Sequence, residues 1–210
     1  MESEIMYAPP MVAVADTKQK TLADLLGAAG VTQPQLAAHL DALDTATRVQ
    51  QIRALNKAEQ KRLWEACADA PAFTVEQLVA GVAPGTPVIW AGKNSLPMFT
   101  IFEKRFAKVG ADVIGYNHQS SSWATGPGYF SAIPSPENAR EVRIDYTKEP
   151  AATTNVPAGW PKIKPNKAGL SRLVYFNLYD YLRYVSKDVC IGFATRLGKP
   201  MDSYFVLART

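Results

Sequence analysis

The residues of this 210-residue chain that could do chemistry are few. His118 sits in the polar run AsnHisGlnSerSerSerTrp (117–123), where an imidazole could act as a base or ligate a metal. Asp180, in an aromatic run, is a second acid–base candidate. The other histidine, His39, has Ala and Leu neighbours and reads as a surface or internally satisfied residue. No His, Cys or carboxylate near His118 has metal-ligand spacing, so neither a metal site nor a cofactor is expected. Ser120–Ser122 offer hydroxyls without the pattern of a nucleophile elbow. Cys67 and Cys190 fall in a helix-like and an apolar strand-like run. They are expected as two buried thiols rather than a disulfide. Thr125-Gly-Pro-Gly128 lacks P-loop and dinucleotide spacing and reads as a turn feeding a strand.

These residues must be positioned by two unlike halves. Residues 1–84 hold seven Lys/Arg and ten Asp/Glu, whereas residues 85–210 hold sixteen and nine. The basic half suits an anionic ligand, an anionic membrane surface or nucleic acid. Residues 1–20 start acidic and carry Pro-Pro, which does not fit a signal peptide and reads as a flexible arm. No apolar run is long enough to span a bilayer, and the expected location is the cytoplasm.

Residues 21–81 read as short helices. The first runs from Thr21 to Ala29 with Gly30 as its stop; Thr32, Asp44 and Asn56 are placed to cap the next three, and Glu59 completes a capping box with Asn56. Thr74 and Gln77 repeat that spacing before Leu78 and Val79. Residues 25–40 resemble a helix-turn-helix with Gly30 as the turn glycine, and Gln33 and Gln35 could read adenine edges. The second helix carries no Lys or Arg, which argues against nucleic acid as the partner.

The Pro/Gly-rich segment 82–87 breaks the helical pattern, and residues 85–210 read as a β-domain. Strands are expected at Pro87–Ala91, Asp112–Asn117, Tyr129–Ile133 and Glu141–Tyr146. Phe99, Phe102 and Phe106 have helical spacing, so Pro97–Val109 is expected as a helix. A Pro/Lys/Asn-rich loop covers 151–168. The chain ends in a three-strand meander from Leu173 to Arg209. Its middle strand presents Cys190, Gly192 and Ala194 on one face, and small residues there leave space on that face. Neither face of Leu173–Arg183 is plainly polar, so the inward face of that run stays open. The fold class is α+β: a helical N-terminal region followed by an antiparallel β-barrel or half-barrel.

The run 181–196, YLRYVSKDVCIGFATR, followed by YFVLAR at 204–209, resembles the closing strands of small calycin-type lipid-binding barrels. The plastid-lipid-associated fibrillin family and the bacterial GXWXG family end similarly. Asp180, Arg183, Gly192, Tyr204, Phe205, Leu207 and Arg209 are the matching positions. Residues 92–97 and 103–106 are similar to the opening segment of the bacterial family, although the GXWXG signature itself does not occur. The resemblance implies a calycin- or lipocalin-like lumen for an apolar or amphipathic ligand.

The resulting expectation is binding of a hydrophobic, anionic small molecule, such as a lipid-, isoprenoid- or polyketide-like compound. Tyr175, Tyr179, Arg183, Arg196 and Arg209 are its polar partners, with Trp123 and Trp160 at the entrance. Two alternatives stay open. One is a cofactor-independent isomerase or cyclase using His118 or Asp180. The other is a DNA-binding regulator with a ligand-sensing barrel. Whether any reaction is catalysed, and the oligomeric state, are left open.

Overall fold

The computed structural model describes residues 20–97, 100–120 and 122–210, with the backbone alone for 123 and 124. Most of the N-terminal arm therefore lies outside the described residues, as do Phe99 and the side chain of Trp123.

Four short helices come first: α1 (Leu22–Gly27), α2 (Gln33–Asp41), α3 (Thr45–Ala54) and α4 (Lys57–Ala66). Their starts follow the local chemistry. Asp24 N–H donates to the Thr21 hydroxyl, Thr47 N–H to the Asp44 carboxylate, and Glu59 N–H to the Asn56 amide oxygen. Thr32 starts α2 with Gln35 as its capping-box partner. A 3-10 turn follows at Glu76–Val79.

The rest of the chain builds β1 (Val88–Asn94), β2 (Ile101–Val109), β3 (Asp112–His118), β4 (Phe130–Pro134), β5 (Val142–Asp145), β6 (Leu178–Ser186), β7 (Val189–Arg196) and β8 (Lys199–Arg209). Two one-turn helices, α5 (Ser122–Thr125) and α6 (Ser171–Tyr175), lie in the connections. Each strand pairs antiparallel with its neighbour in sequence, and β1 pairs with β8, so the sheet is a closed eight-stranded barrel. Closure leaves no free sheet edge.

The up-and-down order puts the β1–β2, β3–β4, β5–β6 and β7–β8 connections at one end of the barrel. The other end is plugged. Phe73, Leu78 and Val79 pack there with Trp90, whose indole N–H donates to Leu78 O at 3.0 Å. Trp90, Phe106, Phe130, Val142, Ile144, Leu182, Cys190 and Leu207 fill the interior above the plug.

The helices lie against the outside of the wall. Leu22, Leu36, Leu40, Ile52, Leu55 and Leu63 form a second core with Val185, Val189, Ile191, Val206 and Ala208. Full burial of each such side chain stabilises by about 1.5–3 kcal/mol, so helices too short to persist alone are held by the barrel.

Two expectations are corrected. The stretch expected as a helix over Pro97–Val109 contains strand β2. Phe102, Lys104 and Phe106 turn inward while Glu103 and Arg105 turn outward. The inward lysine breaks the apolar/polar alternation, which leaves the three-and-four spacing of the phenylalanines as the louder signal. The first meander strand also starts later than expected. Leu173–Tyr175 is helical, and Asn177, at φ 48°, turns the chain into β6 at Leu178.

Candidate functional site

At the unplugged end the interior keeps a cavity of about 120 Å³. Its walls are apolar where Phe102, Leu178, Ala194, Met201 and Phe205 face it. Asn94, Gln119 and Ser203 border it too, and its other polar groups are Lys104, Asn117, Tyr146, Tyr175, Asp180 and Arg196. These come from β2, β3, the end of β5, α6, β6 and β7, so closing the sheet is what brings them together.

Lys104 is the centre of the polar group and is only 2% exposed. Its ammonium has three protons and three acceptors: Asp180 Oδ2 at 2.9 Å, Asn117 Oδ1 at 3.0 Å and Tyr146 Oη at 2.5 Å. The Tyr146 hydroxyl donates on to Asp180 Oδ2 at 3.1 Å, while Asn117 Nδ2 donates to Tyr146 Oη at 2.9 Å. The rings of Phe102, Phe130, Tyr146 and Phe205 surround the same ammonium, with centroids 5.0–5.8 Å away. Ring faces are electronegative and add to its stabilisation.

Burial still pulls the Lys104 pKa below its ordinary value, with the Asp180 charge acting against that shift. The same burial pushes the Tyr146 phenol well above its ordinary value, helped by the Asp180 charge, so it stays protonated. Lys104 and Asp180 neutralise one another. Arg196 is different. One of its terminal N–H groups donates to Val174 O, its Nε has no hydrogen-bond partner, and no described carboxylate pairs with it. The charged groups lining the cavity therefore leave one excess positive charge.

The small-residue face Cys190, Gly192, Ala194 does turn inward. Its space is partly taken, because the Phe205 ring lies where a Gly192 Cβ would be. Only Ala194 of the three borders the cavity.

The sequence candidates separate cleanly. Tyr175 and Arg196 line the cavity, and so does Asp180. The Tyr175 ring stacks on Tyr146 at 5.3 Å; its hydroxyl lies beside Asn117 and Thr125 but meets no partner at hydrogen-bond geometry. Tyr179 is on the outward face of β6, under the Arg143 guanidinium. Arg183 is outward too. It bonds Glu141 at 2.8 Å and lies 3.6 Å above the Trp64 ring, fastening α4 to the wall. Arg209 donates to Ala80 O beside the plug. Trp160 packs outside the barrel on Tyr116 and Tyr129. His118 is exposed at the end of β3, its ring edge-on to Tyr116. Among the described residues no group of three His, Cys, Asp or Glu could hold a metal.

The helix-turn-helix resemblance leads to a packing role. The Gln33 amide donates to Val185 O at 2.7 Å, Gln35 caps α2, and Leu36 and Leu40 are buried against the barrel. Gln33 is thus engaged with the barrel wall, while Gln35 is exposed and uses its amide oxygen to cap the helix.

Lys104, Asn117 and Tyr146 were not among the sequence candidates. The one signal was a lysine at the inward parity between Phe102 and Phe106, legible only once that stretch is a strand.

Compared with known proteins, the chain matches no family model, no curated protein and no solved structure. No helix among the described residues is long and apolar enough to cross a membrane.

Proposed function

We propose that the barrel binds a compact amphipathic molecule with an anionic head in the cavity at its open end. The observation that carries this reading is a cavity with mostly apolar walls whose polar groups include an arginine with no carboxylate. A carboxylate or similar anion would pair with Arg196, and Tyr175 has a hydroxyl to offer the same group. Size narrows the ligand. The cavity approaches the ~150 Å³ of an engineered apolar pocket that admits benzene. One ring or a short branched chain fits inside, and a longer tail would leave past Leu96. Among the ligand classes suggested by the sequence, this favours an isoprenoid- or polyketide-like compound over a full fatty acyl chain. The closed up-and-down meander supports the resemblance to calycin-type barrels. The test is native mass spectrometry of the protein purified without ligand exchange, followed by titration with small aromatic and branched carboxylates. Retained or saturable ligand, weakened about tenfold in Arg196→Ala, is expected. Absence of binding by any of them in the intact barrel would remove the proposal.

A second reading, a cofactor-independent isomerase or cyclase, is favoured by one observation: the buried Lys104–Asp180–Tyr146 group at the cavity. A buried ion pair is seldom the most stable filling for such a site, and perturbed titratable groups cluster where protons are moved. In this reading Asp180 takes a proton from the bound molecule, and Tyr146 and Lys104 hold the developing charge. The double variant Lys104→Met/Asp180→Leu separates the readings, because a pure binder would retain ligand and an enzyme would lose turnover.

A further inference from the structure

Five of the six large apolar side chains that stand exposed among the described residues are at the open end of the barrel. They are Leu96, Ile101, Leu170, Leu173 and Leu197; the sixth, Val82, is in the segment leading into β1. Leu173 is 69% exposed, Leu197 62% and Leu170 55%. They are held in place rather than trailing. Leu170 and Leu173 flank or belong to α6, which supplies Tyr175 to the cavity wall. The Leu197 N–H donates to Asn177 O at 3.0 Å, and the preceding Arg196 donates to Val174 O, so the β7–β8 turn is tied to α6. Leu96 is itself a wall residue of the cavity.

The same end is basic. Lys164, Lys167, Arg172 and Lys199 are exposed, and none has an ion-pair partner among the described residues. Lys164 borders one groove with Leu170. The chain has no Asp or Glu from 150 to 179 or from 189 to 201. The carboxylates bounding those two segments are all engaged: Glu149 with Asn166 N–H, Asp180 with Lys104, Asp188 with Arg48 and Asp202 with Lys57. Exposed leucines interleaved with unpaired cations on one rigid end match a bilayer, whose headgroups take the cations and whose acyl boundary takes the leucines.

We propose that the open end of the barrel docks on an anionic phospholipid bilayer, with Leu170, Leu173 and Leu197 entering the interface and Lys164, Lys167, Arg172 and Lys199 facing the headgroups. A soluble acidic partner would not require three leucines to stand in water between the cations. Docking places the cavity mouth against the membrane, where an amphipathic ligand would be concentrated. The inference stands on the surface of this end and not on cavity occupancy, so it survives or fails separately from the ligand reading.

The experiment is flotation of the full chain with vesicles of phosphatidylcholine alone and of phosphatidylcholine with a third replaced by phosphatidylglycerol. Binding is expected only to the anionic vesicles, weakening as salt is raised and falling about fivefold for each cation changed to alanine. Leu173→Ser/Leu197→Ser should lower it at least tenfold while thermal unfolding stays unchanged, since both side chains are exposed. No binding to anionic vesicles overturns the proposal. Binding that ignores the leucine substitutions, or that soluble polyglutamate competes away at matched charge, overturns it as well, because either shows non-specific attraction to polyanions.

Discussion

Lys104 Nζ lies 2.9 Å from Asp180 Oδ2 inside the barrel, with both side chains almost fully buried. Two strands that are 76 residues apart in sequence and separated by β3, β4 and β5 around the sheet meet through this pair. Removing either partner would leave the other charge in a ring of aromatic side chains. Asp180→Leu and Lys104→Met, each alone, are expected to destabilise the fold by about 3–5 kcal/mol, and the double variant Lys104→Met/Asp180→Leu by much less. Urea denaturation of the four proteins measures this as a double-mutant cycle. Additive single effects would mean that the pair is not coupled.

Alkaline pH should weaken the fold before any surface group explains it. Burial pushes the Cys67 thiol up to about 12 and raises Cys190 further, and it raises Tyr146 and Tyr175. The unfolded chain releases these protons near the ordinary values of about 8.5 for Cys and 10 for Tyr, while the folded chain keeps them. Their stabilising contribution is therefore complete below about pH 8 and is lost as pH rises through and beyond that range. Stability from denaturant unfolding should fall steadily from pH 8 to 11, and native Cys67 and Cys190 should resist thiol reagents until the protein unfolds. Lys104, whose pKa burial lowers, acts in the opposite sense over this range, so a profile that stays flat even in Lys104→Met/Asp180→Leu would count against the burial of the thiols and phenols.

Gly192 is where the wall of β7 makes room for an aromatic ring. A Cβ there would collide with the Phe205 ring, which also meets Phe102 edge-on. Gly192→Ala should cost about 1–3 kcal/mol through overpacking, and Gly192→Ala/Phe205→Leu should recover part of that. Thermal unfolding of both variants decides it; an unchanged Gly192→Ala protein would show that Phe205 has another place to go.

Ala194 borders the cavity and is inward on the same strand. Ala194→Leu should fill the space and abolish ligand retention while the far-ultraviolet circular dichroism stays native. If ligand binding persists in a folded Ala194→Leu protein, the molecule binds elsewhere.

What the sequence determined by itself is what neighbouring residues determine. Asp44 and Asn56 cap their helices because a capping oxygen acts within three residues. Asp112–Asn117 and Glu141–Tyr146 are legible as strands because burial of one face imposes alternation along a few residues. The terminal meander is legible as sheet for the same reason. Tertiary structure decided the rest. Whether Phe102, Lys104 and Phe106 form a helix or a strand depends on β1 and β3, which hold β2 between them in a closed sheet. The run Leu173–Arg183 has two faces of similar polarity, so its inward face is set by register: Asp180 lies opposite Ala194 and Ile144, both inward. That pairing carries Asp180 to Lys104 and leaves Tyr179 and Arg183 on the outer wall. A buried lysine is tolerable only where a carboxylate, an amide, a phenol and four rings converge on it, and no local pattern in the chain encodes that convergence.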